Sequence, residues 1–232
     1  MRTIHRHSLV LAAFALFAFA ANAVAQEKSP ALLNALEVRQ LIGRTDPADQ
    51  ARLSAHFAAL ADSYAAEAKR HASMAQDVVG NPSRNLATGL SAHCKRLAEL
   101  NTQSANTARE LAVHHRMLAA GVPSVAPADS AGFQAGAGAP APNQQELAKL
   151  AETARTPADH RALEAYFLAL AERHTKDVAD HTAFARAYRG LPRGDATAQA
   201  VHCDRLVTLS REAAKEATAA AAMHKEMAGA GR

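Results

Sequence analysis

Cysteine occurs only twice in the chain of 232 residues, each time directly after a histidine: Cys94 in SAHCKRLAEL and Cys203 in AVHCDRLVTL. Thiolate and imidazole together suit zinc or copper. Two further histidines, His71 and His181, each follow a carboxylate, Glu67 and Asp177, by four residues. That spacing puts acid and imidazole on one helix face. The candidate metal ligands are therefore His71, Cys94, His181 and Cys203. Glu67 and Asp177 would orient the imidazoles or complete the shell, and His93 and His202 would flank the site, about 100° around the helix from the cysteines. The competing reading is a Cys94–Cys203 disulfide with no cofactor, closing a loop of more than a hundred residues and contributing about 4–5 kcal/mol on the chain-entropy account. A pair of free buried thiols is the third.

Other chemistry is less well served. A carboxylate-bridged di-iron centre needs Glu-x-x-His, and the spacing here is one residue longer. Haem would have to bind noncovalently, since the chain has no C-x-x-C-H. His115 and His224 lie 21 residues beyond the two cysteines, roughly 30 Å along a helix. They belong to another level, with Gln50 and His160 expected near them and His114 as an exposed neighbour. The chain carries no phosphate loop, nucleophile elbow or H-E-x-x-H motif, so no enzymatic activity is expected.

The elements that must position these residues come from an internal duplication. Asp46-Pro47-Ala48-Asp49 matches Thr156-Pro157-Ala158-Asp159, and His71 matches His181, all at an offset of 110. Cys94 and His115 match Cys203 and His224 at an offset of 109. Each repeat reads as helix, turn, helix. A capping residue precedes proline at the start of its first helix, and an acid stands at the third helical position. Leu53, Phe57, Leu60, Tyr64, Glu67 and His71 alternate in spacings of three and four, a heptad seam. The second helices carry small residues in mid-seam, such as Ser104 and Ala108, and Ala213 and Ala217, which would let them approach closely. Gly121 and Gly229 stand where those helices are expected to stop.

The expected fold is all-α: two tandem antiparallel helical hairpins packing as a four-helix bundle, with a short extra helix before each hairpin. These short helices are expected near residues 30–42 and 144–154, the latter opened by an Asn143/Glu146 capping box. The repeats would span residues 26–121 and 144–232, joined by an Ala/Gly/Pro-rich linker at 122–143, and would pack as one domain. With both hairpin turns at one end, the four candidate ligands converge there.

Residues 1–25 read as a bacterial Sec-type signal peptide: a basic start, an apolar run over 9–20, and small residues before a cleavage point after Ala25. The run is too short to span a bilayer. The expectation is therefore a periplasmic or secreted protein with no integral membrane segment after cleavage. Removing Arg2 and Arg6 from the 26 basic residues leaves 24 against 22 acidic ones. That balance offers no electrostatic footprint for nucleic acid. The expected role is transition-metal binding at the turn end; the alternative is a structural or partner-binding bundle closed by the Cys94–Cys203 disulfide, with the protein partner unknown.

Overall fold

The computed structural model describes residues 32–79, 87–121, 142–192 and 194–230. The proposed signal peptide, the first turn and most of the proposed linker lie outside the described residues. The described chain is all-helical and forms six helices that pack against one another. They are α1 (Ala35–Ile42), α2 (Pro47–Val79), α3 (Ala87–Ala119), α4 (Pro142–Thr153), α5 (Pro157–Arg189) and α6 (Gly194–Ala230).

Local chemistry sets most of the helix ends. Thr156 caps α5 through its side chain, and Asp159 reaches back to the Thr156 backbone, completing a capping box ahead of Pro157. At the start of α2, Asp46 Oδ1 accepts from the Ala48 N–H at 2.8 Å. Asn34 and Glu37 form a capping box on α1 that the sequence reading did not anticipate. Gly121 follows α3 with φ +69°, a conformation that suits glycine, and its N–H returns to the Leu118 carbonyl. Two expected boundaries shift. Helix α4 starts at Pro142, so Asn143 lies within its first turn rather than ahead of it, and α6 runs through Gly229 to Ala230.

The contacts fix how the elements run. Ser54 on α2 donates to the Ala112 carbonyl of α3, and Ser91 on α3 to the Ala75 carbonyl of α2, so these helices are antiparallel. Helices α5 and α6 pack likewise, with His160 beside His224 and Arg189 paired to Asp204. Helices α3 and α6 meet closely, at seams rich in alanine and serine. Among the described residues no close backbone approach joins α2 to α5; long polar side chains bridge them instead.

Two cores result, and each draws on both repeats. One joins the early part of α2 and the late part of α3 to the late part of α5 and the early part of α6, with Phe57, Leu111, Tyr188 and Cys203 among its members. The other joins the late part of α2 and the early part of α3 to the early part of α5 and the late part of α6, and holds Met74, Cys94, Phe167 and Ala217. Val38, Leu41 and Ile42 of α1 enter the first core, and Ala151 of α4 enters the second. The end of α2 therefore lies beside the start of α5. This corrects the expectation that both turns share one end. In that arrangement Glu67 and Asp177 would have met at one level of a buried seam, where like charges repel.

Candidate functional site

The concentration of chemistry lies between α2 and α5. Glu67, on the inner face of α2, is almost wholly buried. Its carboxylate accepts from the Tyr166 hydroxyl at 2.8 Å, from Arg173 at 2.8 Å and from Arg70 at 3.1 Å. His71 Nε2 stands 3.2 Å from the same group. One turn along, the Tyr64 hydroxyl donates to Asp177 at 3.2 Å and lies 3.4 Å from His181 Nε2, while His174 Nδ1 is 3.5 Å from Asp177. With the Tyr64 proton on Asp177, His181 must present Nε2–H to the phenol oxygen. That fixes its neutral tautomer and leaves Nδ1 buried without a hydrogen-bond partner.

Burial and pairing set the charges. Burial alone would raise the Glu67 carboxyl, but His71, Arg173 and Arg70 hold it well below the usual carboxylate range. Asp177 is likewise lowered against its burial, by His174, His181 and Tyr64. Burial pushes His181 down to about 4, outweighing Asp177 and Asp180. His71 is lowered for the same reason despite Glu67. Burial, followed by the neighbouring carboxylate, raises the phenols of Tyr64 and Tyr166. The network thus joins two carboxylates held ionised, the Arg70 and Arg173 guanidiniums, the protonated phenols of Tyr64 and Tyr166, and the imidazoles of His71 and His181, which burial keeps neutral.

The structure does not bring the four candidate ligands together. Cys94 and Cys203 are both free and buried, and they sit in different cores. His93, next to Cys94, lies level with Glu216 of α6, its Nδ1 donating to that carboxylate at 2.6 Å. Cys203 is thirteen residues earlier on the same helix, about 20 Å away along its axis. A disulfide requires Cα atoms within about 7 Å, so the alternative reading of the pair is corrected as well. Burial pushes the Cys94 thiol up to about 12 and raises Cys203 still further, which keeps both sulfurs protonated and apolar in character. His71 faces Tyr166 and Phe167 of α5, and His181 faces Tyr64 of α2 and Phe184. Among the described residues no group of three or more His, Cys, Asp or Glu side chains is arranged to hold a metal ion.

The supporting residues have other partners. His93 and His202 flank the seam as expected, but each reaches a carboxylate of the other repeat: His93 meets Glu216, and His202 meets Glu110 at 3.0 Å. Gln50 and His160 lie against His115 and His224 as the helix levels implied. His114 is buried rather than exposed, its ring edge-on to His115.

The sequence reading missed Arg70, Tyr166 and Arg173. Their counterparts in the duplication are Asp180, His56 and Ser63, so comparison of the repeats shows no shared chemistry at those positions. Comparison of the chain with protein-family models, with curated proteins and with solved structures returned no match.

Proposed function

We propose that this chain is an exported, non-enzymatic helical scaffold: two duplicated hairpins packed head to tail as one four-helix bundle, each preceded by a short bracing helix. It would act structurally or by binding a protein partner in the periplasm or outside the cell. The observation that carries this reading is the closed partnership around Glu67, whose carboxylate is satisfied by Tyr166 and Arg173 of the other repeat as well as by Arg70. Buried ionic groups paired in this way can specify one packing register over its competitors, which is the task of a scaffold. The antiparallel contacts of α2 with α3, α5 with α6 and α3 with α6 support the bundle. The basic and apolar N-terminal pattern supports export.

Intact-mass measurement with thiol labelling tests this reading on protein purified without reductant. The scaffold predicts two thiols that react only after denaturation and no visible absorption band. A mass two hydrogens low, a haem spectrum, or a metal released by thiol alkylation would overturn it.

A further inference from the structure

Helix α1 is held at its two ends by different chemistry. At its C-terminal end Gly43 caps the helix, the Gln50 side chain donates to the Arg44 carbonyl at 2.5 Å, and Arg44 pairs with Asp49. At its N-terminal end the Leu33 N–H, one residue ahead of the Asn34 cap, donates to His56 Nδ1 of α2 at 3.2 Å. A backbone amide can only donate, so His56 is neutral there, with its proton on Nε2. Protonating Nδ1 sets one N–H against another and breaks the bond. Between the two ends Val38, Leu41 and Ile42 are buried in the first core, and the helix packs on α2 and α5. A helix of eight residues has little stability of its own, so its order depends on that docking.

The groups facing His56 decide when the bond breaks. Burial and then His181 of α5 lower the ring to about 4, against Asp180 of α5 and Glu37 of α1, which favour its charged form. Asp180 is itself paired with Lys176 at 2.6 Å, and Phe57 stands edge-on to the ring at 5.1 Å. The second repeat supplies a contrast. There the position of His56 is Tyr166, whose hydroxyl donates to Glu67 and which burial keeps protonated. That position offers α4 no attachment sensitive to acid.

We propose that His56 is an acid-sensitive latch: protonation of its ring frees residues 32–42, which swing about residues 43–46 and uncover the apolar surface of α2 and α5 beneath them. Docked, the ring titrates at about 4; freed, it returns to about 6.5. The latch is therefore fully engaged above that higher value and weakens as pH falls toward the lower one. By linkage, release rises about 30-fold between about pH 7.5 and about pH 5. Such a latch adds a conformational response to the scaffold and does not depend on that reading.

Hydrogen exchange by mass spectrometry on the whole purified protein tests the latch, with rates corrected for the intrinsic pH dependence of amide exchange. In the wild type, α1 should exchange faster than α6 at every pH, because it opens without the rest of the fold, and its opening should rise about 30-fold over the range above. His56→Asn places Oδ1 where Nδ1 stands, so it accepts from Leu33 but cannot titrate, and its α1 opening should rise less than about threefold. Proton NMR of the wild-type His56 ring should show a titration midpoint well below the ordinary value of about 6.5. A wild-type α1 opening that stays flat with pH, exchange of α1 at the rate of α6, the full rise in His56→Asn, or an ordinary midpoint for His56 would each overturn the proposal.

Discussion

Replacing Glu67 by glutamine removes a buried negative charge while hardly changing volume, and its cost can be worked from the contacts. The Glu67 side chain is 5% exposed, and its partners Arg70 and Arg173 are 16% and 49% exposed. Breaking a fully buried ion pair costs about 3–5 kcal/mol. The half-exposed Arg173 can turn to water, so its share falls to about 1 kcal/mol or less. Arg70 cannot do so as easily, and its loss carries most of the penalty. Tyr166 exchanges a charged acceptor for a neutral one, a further loss of about 1 kcal/mol. The expected total is about 3 kcal/mol, a large share of the stability of a domain this size. It should be read as a lower urea midpoint at unchanged slope. The exposed pair Arg96–Glu99 gives the control: with Glu99 63% exposed, Glu99→Gln should change stability by less than about 0.5 kcal/mol. If Glu67→Gln falls within that same small range, the buried network does not hold the repeats together and the reasoning fails.

Acid should begin to destabilise the fold as pH falls below the ordinary histidine value of about 6.5. Burial holds His56 and His181 near 4 in the folded state, below their unfolded value of about 6.5, so their contribution is full above that pH. It is lost as pH falls toward 4, about 3 kcal/mol for His181 alone. Glu67 and Asp177, also lowered, extend the loss to more acid pH. Urea midpoints measured across this range should fall steadily, and His181→Gln should flatten the slope; a flat wild-type profile contradicts the assignment of neutral buried imidazoles. Tyr188→Phe should cost about 1 kcal/mol by removing the hydroxyl that donates to His115 Nε2 at 2.7 Å, read by thermal melting, and a neutral substitution would remove Tyr188 from that chain of bonds.

The repeat, the helix starts at Pro47 and Pro157 and the positions of Gln50 and His160 were legible because they depend on relations within one repeat. Capping residues and helix levels are local, and the two copies check each other. The relation between the copies was not legible. A duplicated hairpin has the same seam whether its partner packs parallel or head to tail, and Glu67, His71 and Cys94 lie on that seam in either case. The residues that discriminate, Tyr166 and Arg173, stand beside the seam, and their counterparts His56 and Ser63 differ from them. The matching histidine–cysteine dipeptides therefore drew attention to residues equivalent by symmetry that lie far apart in space.

The central claim is that head-to-tail relation, and crosslinking tests it most directly. In a Cys94→Ala, Cys203→Ala background, His93→Cys can be combined with either Glu216→Cys or His202→Cys and treated with a short bismaleimide. His93 and Glu216 are in contact at 2.6 Å, whereas His202 lies fourteen residues before Glu216 on α6, about 21 Å along the helix. The account predicts an intramolecular crosslink for the first pair and none for the second; the reverse result would contradict it.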